Sequence, residues 1–225
     1  FLKVYAQQKK NISPINKWYS MGGSELIFSK GKVTDSTTLL MNKTRFTLFL
    51  HIQNQWHYNF NKYIGLYSGI NIINVGLTNT VPIKNTDADF LIKQRSYSLG
   101  IPLAIKLGNM ETGYFIAFGL QQEMMFHYKR KVFYNNKKLR HREWFSDEVN
   151  TFIPSFFTEI RFQYGFYIRF KYYLDNFLVQ KTTSFYLPET NINIDYTPMK
   201  SEMFYISIGN TFNTKKKKPA TKDDV

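Results

Sequence analysis

The sequence predicts an all-β fold: an eight-stranded antiparallel up-and-down transmembrane β-barrel with short periplasmic turns and long extracellular loops. Three observations predict it. Apolar and polar residues alternate for roughly ten positions at a time, about the length of a strand tilted across a bilayer. Short connections centred on Asn54–Gln55, Asn109–Gly113 and Tyr164–Gly165 alternate with long ones through Thr34–Lys43, Val75–Asp89, Arg130–Asn150 and Phe177–Lys200. Aromatic residues make up 18% of the chain, with 21 Phe and 16 Tyr, a load suited to belts at two membrane interfaces.

The strands follow in order from their two faces. The first, over Trp18–Lys30, sets Leu26 and Phe28 against Glu25 and Ser29. Thr44–Gln53 alternates most cleanly: Phe46, Leu48, Leu50 and Ile52 oppose Arg45, Thr47, Phe49, His51 and Gln53. The third puts Ile64, Leu66, Ile70 and Ile72 opposite Gly65, Tyr67, Gly69 and Asn71. In the fourth, Tyr97, Leu99, Ile101, Leu103, Ile105 and Leu107 oppose Ser96, Ser98, Gly100, Ala104 and Lys106. The fifth carries Tyr114, Ile116, Phe118, Leu120, Met124 and Phe126 against Gly119, Gln121 and Glu123. In the sixth, Phe152, Phe156, Ile160 and Phe162 oppose Ser155, Glu159, Arg161 and Gln163. Across a tight turn, Phe166, Ile168, Phe170, Tyr172 and Leu174 oppose Tyr167, Arg169, Lys171 and Tyr173. The eighth sets Phe204, Ile206, Ile208 and Phe212 against Tyr205, Ser207, Gly209 and Thr211.

A soluble eight-stranded barrel turns its charges to water around an apolar inside. Here the polar faces mix charge with Gly, Ser and Ala, which suits a crowded lumen, while bulky Phe, Leu and Ile suit contact with hydrocarbon. Pro102 lies inside a good strand, and a closed barrel has no free edge for its missing N–H; a bulge at Gly100–Pro102 reconciles the two. Trp18, Trp56, Tyr58, Phe60, Tyr114, Tyr164, Phe166 and Phe212 gather near the short turns and chain ends as a periplasmic girdle. That orientation makes the long loops extracellular and both termini periplasmic.

The 225 residues read as one barrel domain over 17–213, after an N-terminal segment over 1–16 and before a basic periplasmic tail over 214–225. Phe1–Ala6 reads either as the end of a secretory signal, with Val4 and Ala6 ahead of a cleavage site before Gln7, or as retained mature chain. No window supplies the roughly eighteen apolar residues of a spanning helix, and barrels escape a hydropathy scan. The absence of cysteine excludes disulfides and thiolate metal sites. A net charge of +14 would raise nucleic-acid binding in a soluble domain. Its concentration in loops and ends, including Lys215–Lys218, points away from nucleic acid here.

The stretches Gly23-Ser24-Glu25-Leu26-Ile27-Phe28-Ser29, Arg95-Ser96-Tyr97-Ser98-Leu99-Gly100-Ile101-Pro102 and Lys171-Tyr172-Tyr173-Leu174-Asp175-Asn176-Phe177 resemble those of a small outer-membrane β-barrel family of the Bacteroidota. That family is similar to PorT-like and OmpX/OmpA-type barrels. The resemblance covers most of 17–213, and it implies a bacterial outer-membrane location with no catalytic signature.

Two groups of residues stand out. The lumen collects Glu25, Arg45, His51, Lys106, Glu123, Glu159, Arg161, Arg169 and Lys171, expected to form a matched polar network that fills a narrow barrel. The alternative is an anion path biased by a cation excess around Arg161, Arg169 and Lys171. The loop carrying Lys129, Arg130, Lys131, Lys137, Lys138, Arg140, Arg142 and Trp144 is expected to contact lipid or a partner above the outer leaflet, lipopolysaccharide included. Glu143, Asp147 and Glu148 would partly neutralise it. The four histidines have no metal-ligand spacing, so neither metal nor cofactor is expected. His51 with a strand serine would be the centre of a lipid-A-modifying hydrolase. The expected function is a nonenzymatic structural or accessory subunit of an outer-membrane complex, of a secretion or of a barrel or lipoprotein assembly type. Other outer-membrane or periplasmic proteins are its expected partners.

Overall fold

In the computed structural model, which describes residues 17–35, 38–48, 51–82, 89–135, 137–187 and 192–213, the alternating segments pair into a closed antiparallel ring. In chain order the strands are β1 (Trp18–Asp35), β2 (Thr38–Leu39), β3 (Met41–Lys43), β4 (Arg45–Thr47), β5 (Ile52–Asn59), β6 (Ile64–Pro82) and β7 (Asp89–Asn109). They continue as β8 (Tyr114–Tyr134), β9 (Lys137–Trp144), β10 (Phe152–Arg161), β11 (Phe166–Tyr173), β12 (Thr183–Leu187), β13 (Ile192–Tyr196) and β14 (Pro198–Asn213). The eight-strand ring runs β1-β5-β6-β7-β8-β10-β11-β14, and pairing of β14 with β1 leaves no edge. β12 and β13 form a separate hairpin, and β9 folds back on β8 beyond the ring.

Two of the short connections fall where the sequence puts them. β7 ends at Asn109 and β8 begins at Tyr114, while Tyr164 (φ 62°) and Gly165 (φ 82°) turn β10 into β11. Gly165 is required there twice over, because its φ is left-handed and a Cβ would collide with the Thr211 carbonyl. The turn expected at Asn54–Gln55 is absent. β5 runs through both residues, and the chain reverses at Phe60–Tyr63, where the Asn61 side chain accepts from the Tyr63 and Ile64 amides at 2.7 and 2.9 Å. Polar Gln53, Gln55, His57 and Asn59 are lumen-facing residues of one strand.

The strand expected over Thr44–Gln53 is also broken. β4 pairs with β1 and β3 with β6, and β5 begins only at Ile52; Phe49 and Leu50 lie outside the described residues. Around Pro102 the β6–β7 ladder skips Ile101 and Pro102 but resumes in the same register, so no bulge forms at Gly100–Pro102. Ser68 Oγ donates to the Pro102 carbonyl at 2.8 Å. The register shift comes one turn of the pleat further on, opposite Tyr97/Ser98, where Phe126 is the extra residue of β8.

Most of the expected long loops are strand. β7 and β8 each run 21 residues, roughly twice what crossing a bilayer requires. Along each of them the two faces exchange character. On β7, Leu99, Ile101, Leu103, Ile105 and Leu107 point outward while Gly100, Ala104 and Lys106 point in; nearer the long-loop end, Lys93 and Arg95 point outward while Phe90, Ile92 and Gln94 are buried inside. β6 does the same, with Ile64, Ile70 and Ile72 outside, then Ile73, Val75, Leu77 and Val81 inside. An inside-out stretch followed by one with soluble-protein polarity marks where the hydrocarbon ends, because only an apolar surround favours outward Leu and Ile over outward Lys and Arg.

The apolar part of the interior closes the long-loop end. Ile27, Val33, Leu40, Ile73, Val75, Leu77, Phe90, Ile92, Tyr128, Val132, Phe177 and Leu178 pack into one buried cluster there. At the other end, Trp18, Trp56, Phe60, Tyr63, Tyr114, Tyr164 and Phe212 are exposed around the short turns as an aromatic girdle.

Candidate functional site

Between the girdle and the apolar cluster, the inward faces of β1, β5, β7, β8, β10, β11 and β14 meet in a buried polar network. Glu159 is fully buried and accepts from Arg161 Nη2 at 2.5 Å and from Arg169 Nε and Nη2 at 3.0 and 2.6 Å. Arg169 reaches Glu25 at 3.4 Å, and Ser207 Oγ and Tyr167 OH donate to the same Glu25 oxygen at 2.6 and 3.2 Å. Glu123 accepts from Lys171 Nζ at 2.7 Å, Ser98 Oγ at 2.7 Å and Tyr173 OH at 3.0 Å. Three acids therefore face Arg161, Arg169 and Lys171, and the cation excess expected of an anion path is cancelled by Glu25 from β1 and Glu123 from β8. Glycine makes the room: Gly209 and Gly119 lie where a Cβ would strike the rings of Tyr167 and Phe157.

Lys106 is lumen-facing as expected but stands apart from the acids. Its ammonium donates to Asn59 Oδ1 at 2.7 Å and to Tyr19 OH at 3.2 Å, and lies 5.1 and 5.4 Å from the Tyr19 and Phe115 ring centres. A vestibule of about 500 Å³ opens at the short-turn end beside Tyr19, Met110 and Phe162 and reaches inward to Phe115 and Arg161.

Arg45 departs from the lumen assignment. It is half-buried, and it donates to Asn74 Oδ1 at 2.7 Å and to the Asn74 carbonyl at 3.3 Å. With β5 not yet begun at this height, β4 and β6 leave space for its side chain to reach the outer side. There it lines a recess of about 130 Å³ with Lys93, Gln94, Arg95, Lys129 and Lys131.

The basic loop is a β-hairpin, and its two faces divide the residues expected to act together. Arg130 is turned inward and pairs with Glu148, and Lys137 lies at a register position of the same parity. Lys129, Lys131, Lys138, Arg140, Arg142 and Trp144 share the outer parity. The acids do not neutralise that face. Glu148 engages Arg130, Asp147 pairs with Lys181, and Glu143 accepts from Ser146.

Register across β7, β8 and β9 then aligns the outer cations in two rows, Lys93–Lys131–Arg140 and Arg95–Lys129–Arg142. One step toward the apolar band lies the row Tyr97–His127–Trp144, with ring centres 5.7 and 4.8 Å apart and Phe126 stacked on Trp144 at 5.9 Å. One step above, Phe133 lies under the ammonium groups of Lys93 and Lys138. The Lys129 ammonium is held down to about 8, by partial desolvation first and then by Arg95, Arg142, Lys131 and Arg140. Lys131 is lowered by the same two causes, with Lys138 its foremost neighbour.

Lys93 and Arg95 were not among the expected site residues. They are remote in sequence from the hairpin, and only the three-strand register brings them to it. His51 faces inward and is buried, with Nδ1 2.7 Å from the Glu25 carbonyl, while Ser29, an inward serine of β1, donates to the Gly76 carbonyl at 2.9 Å. His51 and Ser29 are thus each bound to main-chain oxygen.

No protein-family model matches the chain, and no curated protein is similar to it. Among solved structures, the chain overlaps the attachment invasion locus protein Ail of Yersinia pestis over 86% of its own length and 99% of Ail, at 10% identity and a TM-score of 0.41. It overlaps the outer membrane protein OprG of Pseudomonas aeruginosa over 87% and 96%, at 11% identity and a TM-score of 0.42. For Neisserial surface protein A the figures are 88% and 98%, 10% and 0.35. Overlaps this loose carry no argument about function.

Proposed function

We propose that the chain is a nonenzymatic integral barrel of a bacterial outer membrane, with its short turns and termini in the periplasm and its long loops outside. It acts by surface contact, as a structural or accessory subunit of an outer-membrane protein complex, and not by conducting or catalysing. The observation that carries this reading is the filled interior. Ion-paired side chains occupy the middle of the barrel and an apolar cluster closes the long-loop end, so the vestibule at the short-turn end does not run through, and contact at the wall's outer end is favoured over passage. Among the described residues, His51 is buried against the Glu25 carbonyl and the inward Ser29 is bound to the Gly76 carbonyl, which speaks against the hydrolase. The extramembrane hairpin of β8 and β9 offers cations and aromatic rings to lipopolysaccharide and to protein partners alike.

Two arms test the proposal. Planar-bilayer recordings are expected to show no conductance above background, and a stable anion-selective step would overturn the sealed barrel. Gentle detergent extraction from the native membrane followed by mass spectrometry is expected to recover a stoichiometric outer-membrane or periplasmic partner. Recovery of the barrel alone would overturn the subunit role.

A further inference from the structure

We infer that the outward face of β7, β8 and β9 is a binding site for the phosphate groups of a glycolipid of the outer leaflet. The head group would sit on the two cation rows and the acyl chains on the apolar wall below. The inference rests on the membrane placement proposed above and names the chemistry that the hairpin contacts.

The rows themselves are the first argument. Lys93, Lys131 and Arg140 stand directly across from one another, as do Arg95, Lys129 and Arg142. Like charges opposite each other destabilise a sheet. Among the described residues none of the six has a carboxylate partner, although Glu143, Asp147 and Glu148 are close in sequence and turn to other groups. Folding alone gives no reason for this arrangement, whereas an anion laid between the rows would convert repulsion into charge-assisted hydrogen bonds. Partial desolvation, and after it the four neighbouring cations, lower the Lys129 ammonium.

Position is the second argument. Below the cations comes the Tyr97–His127–Trp144 row, and below that Leu99, Ile101, Leu103, Leu120 and Phe118 face outward. Aromatic rings favour the interface and aliphatic side chains the hydrocarbon, so the cations lie at head-group height. The recess beside Arg45 holds several times the volume of a water molecule, with Arg45, Lys93, Arg95, Lys129 and Lys131 around it. A soluble polyanion would find the cations but would leave the apolar wall unused; a phosphorylated lipid satisfies both.

The test uses the whole barrel refolded into phosphatidylcholine vesicles and titrated with bis-phosphorylated lipid A, with the same lipid after enzymatic dephosphorylation, and with free pyrophosphate. Thermal stability and native mass spectrometry are the readouts. Tight binding is expected for the phosphorylated lipid, with loss on dephosphorylation and weak binding of pyrophosphate. Combining Arg95→Gln, Lys129→Gln and Arg142→Gln is expected to weaken lipid binding on the order of a hundredfold, at about 1 kcal/mol per cation at a membrane surface. The same variant without lipid should be no less heat-stable than the parent, since it relieves like-charge contacts. Combining Lys30→Gln, Lys32→Gln and Lys200→Gln, which removes equal charge from β1 and β14, should leave binding within about twofold.

Equal binding of the two lipid forms, or equal loss in both variants, would overturn the site while leaving the barrel reading intact. Pyrophosphate binding as tight as the lipid would assign the rows to a free polyanion and overturn the lipid. Failure of the parent protein to enter bilayers at all would overturn the membrane placement and this inference with it.

Discussion

Glu159→Ala is expected to destabilise the barrel by about 3–5 kcal/mol, the usual consequence of stripping one partner from a buried ion pair. The size follows from what the carboxylate leaves behind. Arg169 keeps a 3.4 Å contact to Glu25 and a 3.3 Å bond to Gln53, but Arg161 is left with no carboxylate among the described residues, holding the Gln55 side-chain oxygen at 2.9 Å, a sulfur contact to Met21 and the faces of Phe115 and Tyr167. Both guanidiniums are buried, Arg169 deep in the lumen and Arg161 at the inner end of the vestibule, so little of either charge meets water. Urea unfolding of the refolded protein in lipid vesicles, followed by tryptophan fluorescence, measures the effect. A loss below about 1 kcal/mol, the scale of one neutral hydrogen bond, would mean that the arginines find solvent and that the lumen is not closed.

Leu103→Arg is the second large effect, and it bears on the outside of the wall. Leu103 is 63% exposed and stands mid-way along the outward apolar run of β7. An arginine there should cost about 2–4 kcal/mol in a bilayer, because the guanidinium must be held in hydrocarbon. Leu91→Arg, on the same face but beyond the two cation rows, should cost about 0–1 kcal/mol. If the two substitutions are equivalent in vesicles, the Leu103 surface does not face lipid.

The parity of most barrel strands was legible in the sequence because it is local. Along β11, Phe166, Ile168 and Phe170 point outward against Tyr167, Arg169 and Lys171, and nothing in the fold disturbs that period of two. What escaped was the change of solvent along a single strand. In β6 the apolar parity passes from Ile70 and Ile72 outside to Ile73 and Val75 inside with no bulge at that point, so the pattern breaks where the strand does not. Val75–Asp89 therefore read as a loop. The Asn54–Gln55 turn failed for a related reason: glutamines are turn-like by polarity, yet here Gln53 and Gln55 face a polar lumen.

The candidate sites divide along the same line. Glu159, Arg161, Arg169 and Lys171 were placed on inward faces by parity alone, but the pairing of Arg169 with Glu25 and of Lys171 with Glu123 joins residues far apart in sequence and was not legible there. Arg45 was misplaced because its strand is interrupted before His51, and parity carries no information across a break. The hairpin cations were found, but not that Arg130 faces away from them or that Lys93 and Arg95 complete their rows. Those facts belong to register among three strands, which a one-dimensional pattern does not contain.

The central claim is that the exchange of faces along β7 marks the edge of the bilayer. The chain has no cysteine, so single cysteines at positions 91, 93, 95, 97, 99, 101, 103, 105 and 107 give unique nitroxide sites. Their accessibility to oxygen and to a water-soluble nickel chelate in phosphatidylcholine bilayers measures depth directly. Depth should be greatest near 103, fall to the interface at 97, and be lost at 93 and 91. Uniform exposure to the nickel chelate along all nine positions, or burial in lipid continuing past 95, would contradict the account.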